Sequence, residues 1–209
     1  MTEQIFITGH SCRLPGAENA LEFKTLLQKG SCAVSSIPLD RWQHDLFYHP
    51  TPGTKGKSYT FAAGVLDDIW GFDLSVFNIS PREANQMDPQ QRILLQVVWE
   101  ALEDAHLNPQ DLAGQEVGVF VGASSMDHAT ILGRDAALAD SYLMTGNTLS
   151  LVSNRISHAF DLRGPSFTVD TACSSAMVAL DQARQALEEG RVDTAIVAGV
   201  NILLNPGSF

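Results

Sequence analysis

The chain has 209 residues, 44% of them apolar, enough for one or two domains with a sizeable core. With 13 basic and 24 acidic side chains the net charge is −11, which argues against nucleic acid or an anionic membrane as partner, because phosphate contacts need clustered Lys and Arg. The three cysteines, Cys12, Cys32 and Cys173, form no C-x-x-C pair, so neither a disulfide framework nor a zinc ribbon is expected and a reducing, cytoplasmic compartment fits best. No apolar run is long enough for a membrane helix, and the start Met1-Thr2-Glu3-Gln4 does not read as a signal peptide.

In chain order, Ile5 to Gly9 reads as a short buried strand. Leu21, Phe23, Leu26 and Leu27 mark a surface helix from Asn19 to Lys29, closed by Gly30. Residues 31–80 hold Pro38, Pro50, Pro52 and a Gly/Lys-rich loop, and read as a long irregular excursion on one core. Asp88 is a suitable N-cap, with Pro89 at the first helical position and Gln91 spaced for a capping box. Leu94, Val98, Ala101, Leu102 and Ala105 continue that helix, and Asn108-Pro109 ends it. Val117 to Val121 is a buried strand, and Leu149, Val152, Ile156 and Phe160 a further helix. Ser166 to Val169 is a strand, followed after Cys173 by a helix of small residues whose N-terminal half is predicted to be buried on most sides. Gly190 closes it, and Ala195 to Val200 reads as a strand buried on both faces. Alternating strands and helices imply an α/β fold with a largely parallel sheet.

The stretch Asp170-Thr171-Ala172-Cys173-Ser174-Ser175-Ala176 places a cysteine where a strand ends and a helix begins. Helix N-termini carry unpaired N–H groups and partial positive charge, which favour a thiolate, the nucleophilic form. Cys173 is therefore the candidate acyl-accepting nucleophile. A cysteine hydrolase would want Gly on both sides of the nucleophile, where Ala172 and Ser174 stand.

The Asp170-to-Ala176 segment resembles the active-site motif of β-ketoacyl synthase (ketosynthase) domains of type I polyketide synthases. Further blocks match in the same order: Cys12-Arg13-Leu14-Pro15-Gly16, Ile37-Pro38-Leu39-Asp40-Arg41-Trp42, Met87-Asp88-Pro89-Gln90-Gln91-Arg92, Asn154-Arg155-Ile156-Ser157 and Ala198-Gly199-Val200-Asn201. The resemblance runs almost end to end. It implies the N-terminal half of a thiolase-like α-β-α-β-α domain over residues 1–209, with a mostly parallel, five-stranded type of sheet and a buried small-residue helix after the nucleophile.

The resemblance also implies a reaction. Cys173 would take an acyl chain from the phosphopantetheine of an acyl carrier protein, then pass it to a decarboxylating malonyl-type extender. The backbone N–H of Cys173 would be one oxyanion donor, and no bound cofactor or metal is expected. Supporting roles fall to Asp170, Thr171 and Ser174 around the nucleophile, and to Asn154 and Arg155 near the acyl pocket. Two family histidines that complete the site would follow Phe209, so the 209 residues alone are expected to be inactive. The implied partners are the carrier protein, other synthase domains, and a second copy paired through Ser166 to Val169. Two alternatives stay open: a non-catalytic remnant that dimerises or docks a carrier protein, and a coenzyme A-dependent thiolase-like condensing enzyme.

Of the histidines, His158 is expected to be packed or half-buried, His44 and His49 solvated, His106 at a helix C-terminus and His128 in a loop; for His10 a supporting place near Cys173 is left open. None has metal-ligand spacing with a Cys or carboxylate.

Overall fold

The computed structural model describes residues 4–134, 137 and 140–209. The chain divides into two compact units, Met1–Ser11 with Trp70–Asn201, and Cys12–Ile69 with Ile202–Phe209.

The larger unit is built on a parallel sheet of β3 (Val117–Gly122), β4 (Ser166–Val169) and β5 (Thr194–Gly199), in the order β4-β3-β5. Every residue of β3 is buried. The twofold alternation of a strand divides them: Val117, Val119 and Val121 enter one core, Phe120 the other. The first core is shared with α3 (Pro89–Asp104) and α7 (Leu151–Ala159), through Leu94, Leu95, Val98, Val152 and Ile156. The second lies under α8 (Ser175–Glu188), through Ala179, Ala183 and Ala186. Helices on both faces of a parallel sheet make this unit an α-β-α sandwich.

Four expectations change. Among the described residues the parallel sheet has three strands, not five. The run from Ile5 to Gly9 joins no strand, and Phe6 and Ile7 are 72% and 84% exposed. Gly9 packs instead against α3, where an added Cβ would lie 2.3 Å from Ala101 O. Second, β5 is only partly buried, because it is an edge strand. Third, α8 buries one face only; Met177 is 67% and Leu180 42% exposed, since small residues line the sheet and among the described residues no layer covers the other side. Fourth, Asn108-Pro109 does not stop α3: the chain leaves the helix at His106, in the left-handed region at φ 56°, and Asn108 caps the short α4 (Pro109–Leu112).

The helix starts follow the sequence more closely. Asp88 caps α3 with Pro89 behind it, but its side chain accepts from Gln90 N at 2.9 Å, and Gln91 turns away to donate to Thr145 O. The capping box is therefore half formed. Gly190 ends α8 at φ 65°, its N–H donating to Leu187 O.

The smaller unit holds α1 (Ala20–Gln28), capped by Asn19, and an antiparallel pair of β1 (Val34–Ser36) and β2 (Ala62–Gly64). Its core is Ile37, Trp42 and Phe61. His44 is half-buried here, not solvated, its ring stacked 5.3 Å from that of Phe61. His49 is exposed as expected. Among the described residues no helix is long and apolar enough to cross a membrane.

Candidate functional site

β4 ends at Val169, and after five intervening residues α8 begins at Ser175. The turn between them carries Asp170, Thr171, Cys173 and Ser174, all exposed. Cys173 thus lies two residues before the first helical residue, at the C-terminal edge of the parallel sheet, where ligands of open α/β sheets gather.

The seat of this turn is made by glycine. A Cβ on Gly122, the last residue of β3, would stand 2.3 Å from Ala176 N and 2.5 Å from Ser175 C. One on Gly199, at the end of β5, would stand 2.8 Å from Ala176 Cβ. Only strands that end in glycine let the first turn of α8 come so close. The sequence carried this signal, a glycine after Val121 and another before Val200, but its meaning depends on which helix lies against it.

Side chains lock the turn. Asp170 Oδ1 accepts from Ala172 N at 3.0 Å. Ser174 Oγ lies 2.8 Å from Thr171 O and 2.9 Å from Thr171 Oγ1; with its one proton on the carbonyl, the Thr171 hydroxyl supplies the second contact. Ser175, buried and absent from the sequence-based set, accepts from Thr171 N at 2.9 Å and donates to Ala172 O at 2.7 Å. Ala172 itself sits at φ 55°, in the left-handed region that alanine seldom enters.

Asn154 and Arg155 are half-buried on α7. Arg155 forms an ion pair with Glu83 of α2 (Pro81–Gln86) and reaches Gln91 Oε1 at 3.3 Å and Thr145 O of α6 (Leu143–Asn147) at 3.4 Å. Its partners make it a brace between helices. α7 meets the sheet through Ser153, whose N–H and hydroxyl both engage Thr168 Oγ1 of β4, at 3.1 and 3.0 Å.

The histidines separate. His128 is buried in α5 (Asp127–Leu132) rather than in a loop, its ring 6.2 Å from that of Trp70. Burial and the nearby Arg92 hold its pKa below the ordinary histidine value. His158 is exposed, where packing was expected. His10 is exposed and pairs with Asp104 at 3.0 Å. Among the described residues no group of three His, Cys, Asp or Glu side chains is arranged to hold a metal ion.

Residues 2–209 match the family described as "Beta-ketoacyl synthase, N-terminal domain". The chain is 44% identical over 209 residues to Polyketide synthase GfsB of Streptomyces halstedii, covering 99% of this chain and 4% of that protein. It is 46% identical over 209 residues to the spectinabilin polyketide synthase system protein NorC of Streptomyces orinoci, covering 99% of this chain and 9% of that one. Among solved structures, the oxazolomycin ketosynthase domain OzmH KS7 of Streptomyces albus superposes with a TM-score of 0.88 at 38% identity, over 96% of this chain and 34% of that one. The ketosynthase from module 6 of the bacillaene synthase of Bacillus subtilis gives 0.85 at 38% identity, over 97% and 33%. The chain therefore spans about a third of the length of the solved ketosynthases it matches.

Proposed function

The chain belongs to the β-ketoacyl synthase family, as its N-terminal domain, and from that premise we propose that Cys173 is the acyl-accepting nucleophile of a polyketide or fatty-acid condensing enzyme. Its thiolate attacks the carbonyl carbon of an acyl-phosphopantetheine thioester on a carrier protein. The new S–C bond forms as the bond to the pantetheine sulfur breaks, and that sulfur leaves as a thiolate that takes up from water the proton the Cys173 thiol had released. A malonyl-type extender then loses carbon dioxide, and its carbanion attacks the Cys173 thioester. The cysteine leaves as thiolate, and the carrier holds a β-ketoacyl chain two backbone carbons longer.

The observation that carries this reading is the placement of Cys173: exposed, at the strand-to-helix turn, and backed by the N-terminal end of a 14-residue helix. Asp170, Thr171 and Ser174 hold the turn, and the Cys173 N–H is one donor to the tetrahedral oxyanion. The other partners are the carrier protein, further synthase domains, and a second copy that pairs along the outer edge of β4 at Ser166–Val169. We read the location as cytoplasmic, in keeping with three free cysteines among the described residues.

The test is acyl loading of the full-length protein. Incubated with hexanoyl-pantetheine, the wild-type protein gains one hexanoyl mass on the Cys173 peptide, and Cys173→Ala gains none. An adduct that survives in the variant overturns the assignment. Iodoacetamide is expected to modify Cys173 ahead of Cys12 and Cys32.

A further inference from the structure

Planarity of one peptide group gives Ser175 a role. The C=O of Ala172 and the N–H of Cys173 belong to the same trans peptide, so they point in opposite directions. Whatever fixes the carbonyl also aims the N–H. The Ser175 hydroxyl fixes it: its proton goes to Ala172 O at 2.7 Å, while its oxygen accepts from Thr171 N at 2.9 Å. The Thr171 bond occupies the acceptor side of the hydroxyl and so directs its one proton to the carbonyl. Ser175 is only 5% exposed, so water does not compete for these bonds.

The left-handed conformation at Ala172, φ 55°, makes such a clamp necessary. Glycine, and to a lesser degree Asn and Asp, visit this region; alanine is held there by its surroundings. Asp170 restrains the near side through Ala172 N at 3.0 Å, and Ser175 the far side. Asp170 acts on the peptide before Ala172. Ser175 acts on the one that carries the Cys173 N–H.

We propose that Ser175 is a positioning residue that aims the backbone N–H of Cys173 at the oxyanion of the acyl-transfer step. The inference rests on the nucleophilic role of Cys173 proposed above. Ala172 O also accepts from Ser175 N at 3.1 Å, so loss of the hydroxyl loosens the peptide without releasing it. Outright removal of an oxyanion donor slows such reactions by about a hundredfold to a thousandfold; a loosened donor is expected to slow them by about tenfold.

Two reactions of the same sulfur separate aim from damage. Transfer from hexanoyl-pantetheine passes through a tetrahedral oxyanion. Alkylation by iodoacetamide displaces iodide from a saturated carbon and forms none. In the full-length protein, Ser175→Ala is expected to acylate Cys173 about tenfold more slowly while its alkylation rate stays within about twofold of wild type. Ser175→Thr keeps the hydroxyl and is expected to restore acylation. Equal slowing of both reactions, or slowing of neither, overturns the proposal, as does failure of threonine to rescue. Should the alanine variant not fold, hydrogen exchange at the wild-type Thr171 amide tests the clamp without it: protection is expected, and exchange at the free-peptide rate overturns it. A wild-type protein that takes no acyl group on Cys173 sinks the nucleophile instead. One that does, beside an equally competent Ser175→Ala, sinks only the aiming role.

Discussion

The two longest helices of the larger unit begin in opposite ways. α3 is started by its own residues: the Asp88 side chain takes the Gln90 N–H, Pro89 follows, and nine residues of the helix are buried. α8 has no side-chain bond at its N-cap, and only four of its residues are buried. Its start is set from outside, by two strand ends that lack a Cβ and by a turn whose bonds run among four side chains. A helix that serves the core can close off its first turn with a capping side chain. In the role proposed for Cys173, a helix that presents a sulfur there gains from leaving those N–H groups open, and must then be held by its neighbours.

The contrast breaks most severely at the seat. Gly122→Ala puts a methyl 2.3 Å from Ala176 N, a backbone atom that moves only if α8 moves. The expected loss is about 3 kcal/mol in urea unfolding, at the upper end for an overpacked core, together with loss of Cys173 acylation. Gly190→Ala, at the other end of the same helix, meets nothing within 4 Å and carries only its positive φ of 65°. It is expected to cost about 1 kcal/mol and to leave acylation alone. Equal effects of the two substitutions would show that the start of α8 is no more constrained from outside than its end.

The start of α3 gives the next largest effect. Asp88→Ala removes the acceptor of two buried N–H groups, of Gln90 at 2.9 Å and His128 at 3.4 Å, and is expected to cost about 2 kcal/mol. The pH dependence sharpens this. Burial holds the Asp88 carboxyl above its ordinary pKa, with Asp127 adding to the shift. The folded state then binds this proton more tightly than the unfolded chain, so stability is greatest at low pH and falls as pH rises from the ordinary value near 3.8 through the raised one. His128 works in the opposite sense. Its depressed pKa means the unfolded chain binds more protons below the ordinary 6.5, so stability falls there as pH drops. Asp88→Asn keeps an acceptor for the cap and removes the acidic slope. Stability–pH curves of Asp88→Asn and wild type are therefore expected to diverge as pH rises above 4, with the variant losing less.

This difference between helices also decides what could be read in the sequence. The cap at Asp88, the stop at Gly190, the buried run of β3 and the strand–cysteine–helix order all depend on neighbours in the chain, and the structure has each of them. The missing strand at Ile5–Gly9, the half-buried edge β5 and the open face of α8 depend on what lies beside them in space, which periodicity does not report. The candidate site divides along the same line. The placement of Cys173 between a strand and a helix was legible from the residues on either side of it. Ser175 was not, because a serine inside a run of small residues looks like spacing until its hydroxyl is seen between Thr171 N and Ala172 O. Arg155 was read as anchoring a helix near the pocket, and its bonds to Glu83, Gln91 and Thr145 are of that anchoring kind.

The smallest effect is expected on the outer face of α8. Arg184 bonds Asp181 at 2.9 Å and Glu188 at 2.5 Å, one turn apart on either side, and all three side chains are about half exposed. These bonds raise the Arg184 pKa and, with Gln185, lower that of Asp181, so the network has good local geometry. Geometry is not stability when water and salt reach every member, and ordering three long side chains offsets much of the attraction. Arg184→Ala is therefore expected to leave the thermal midpoint unchanged within error, at low and at high salt, and to leave Cys173 acylation untouched. A clear salt-dependent drop would mean that the helix is held partly by its own surface charges, and would weaken the claim that its start depends on the strands beneath it.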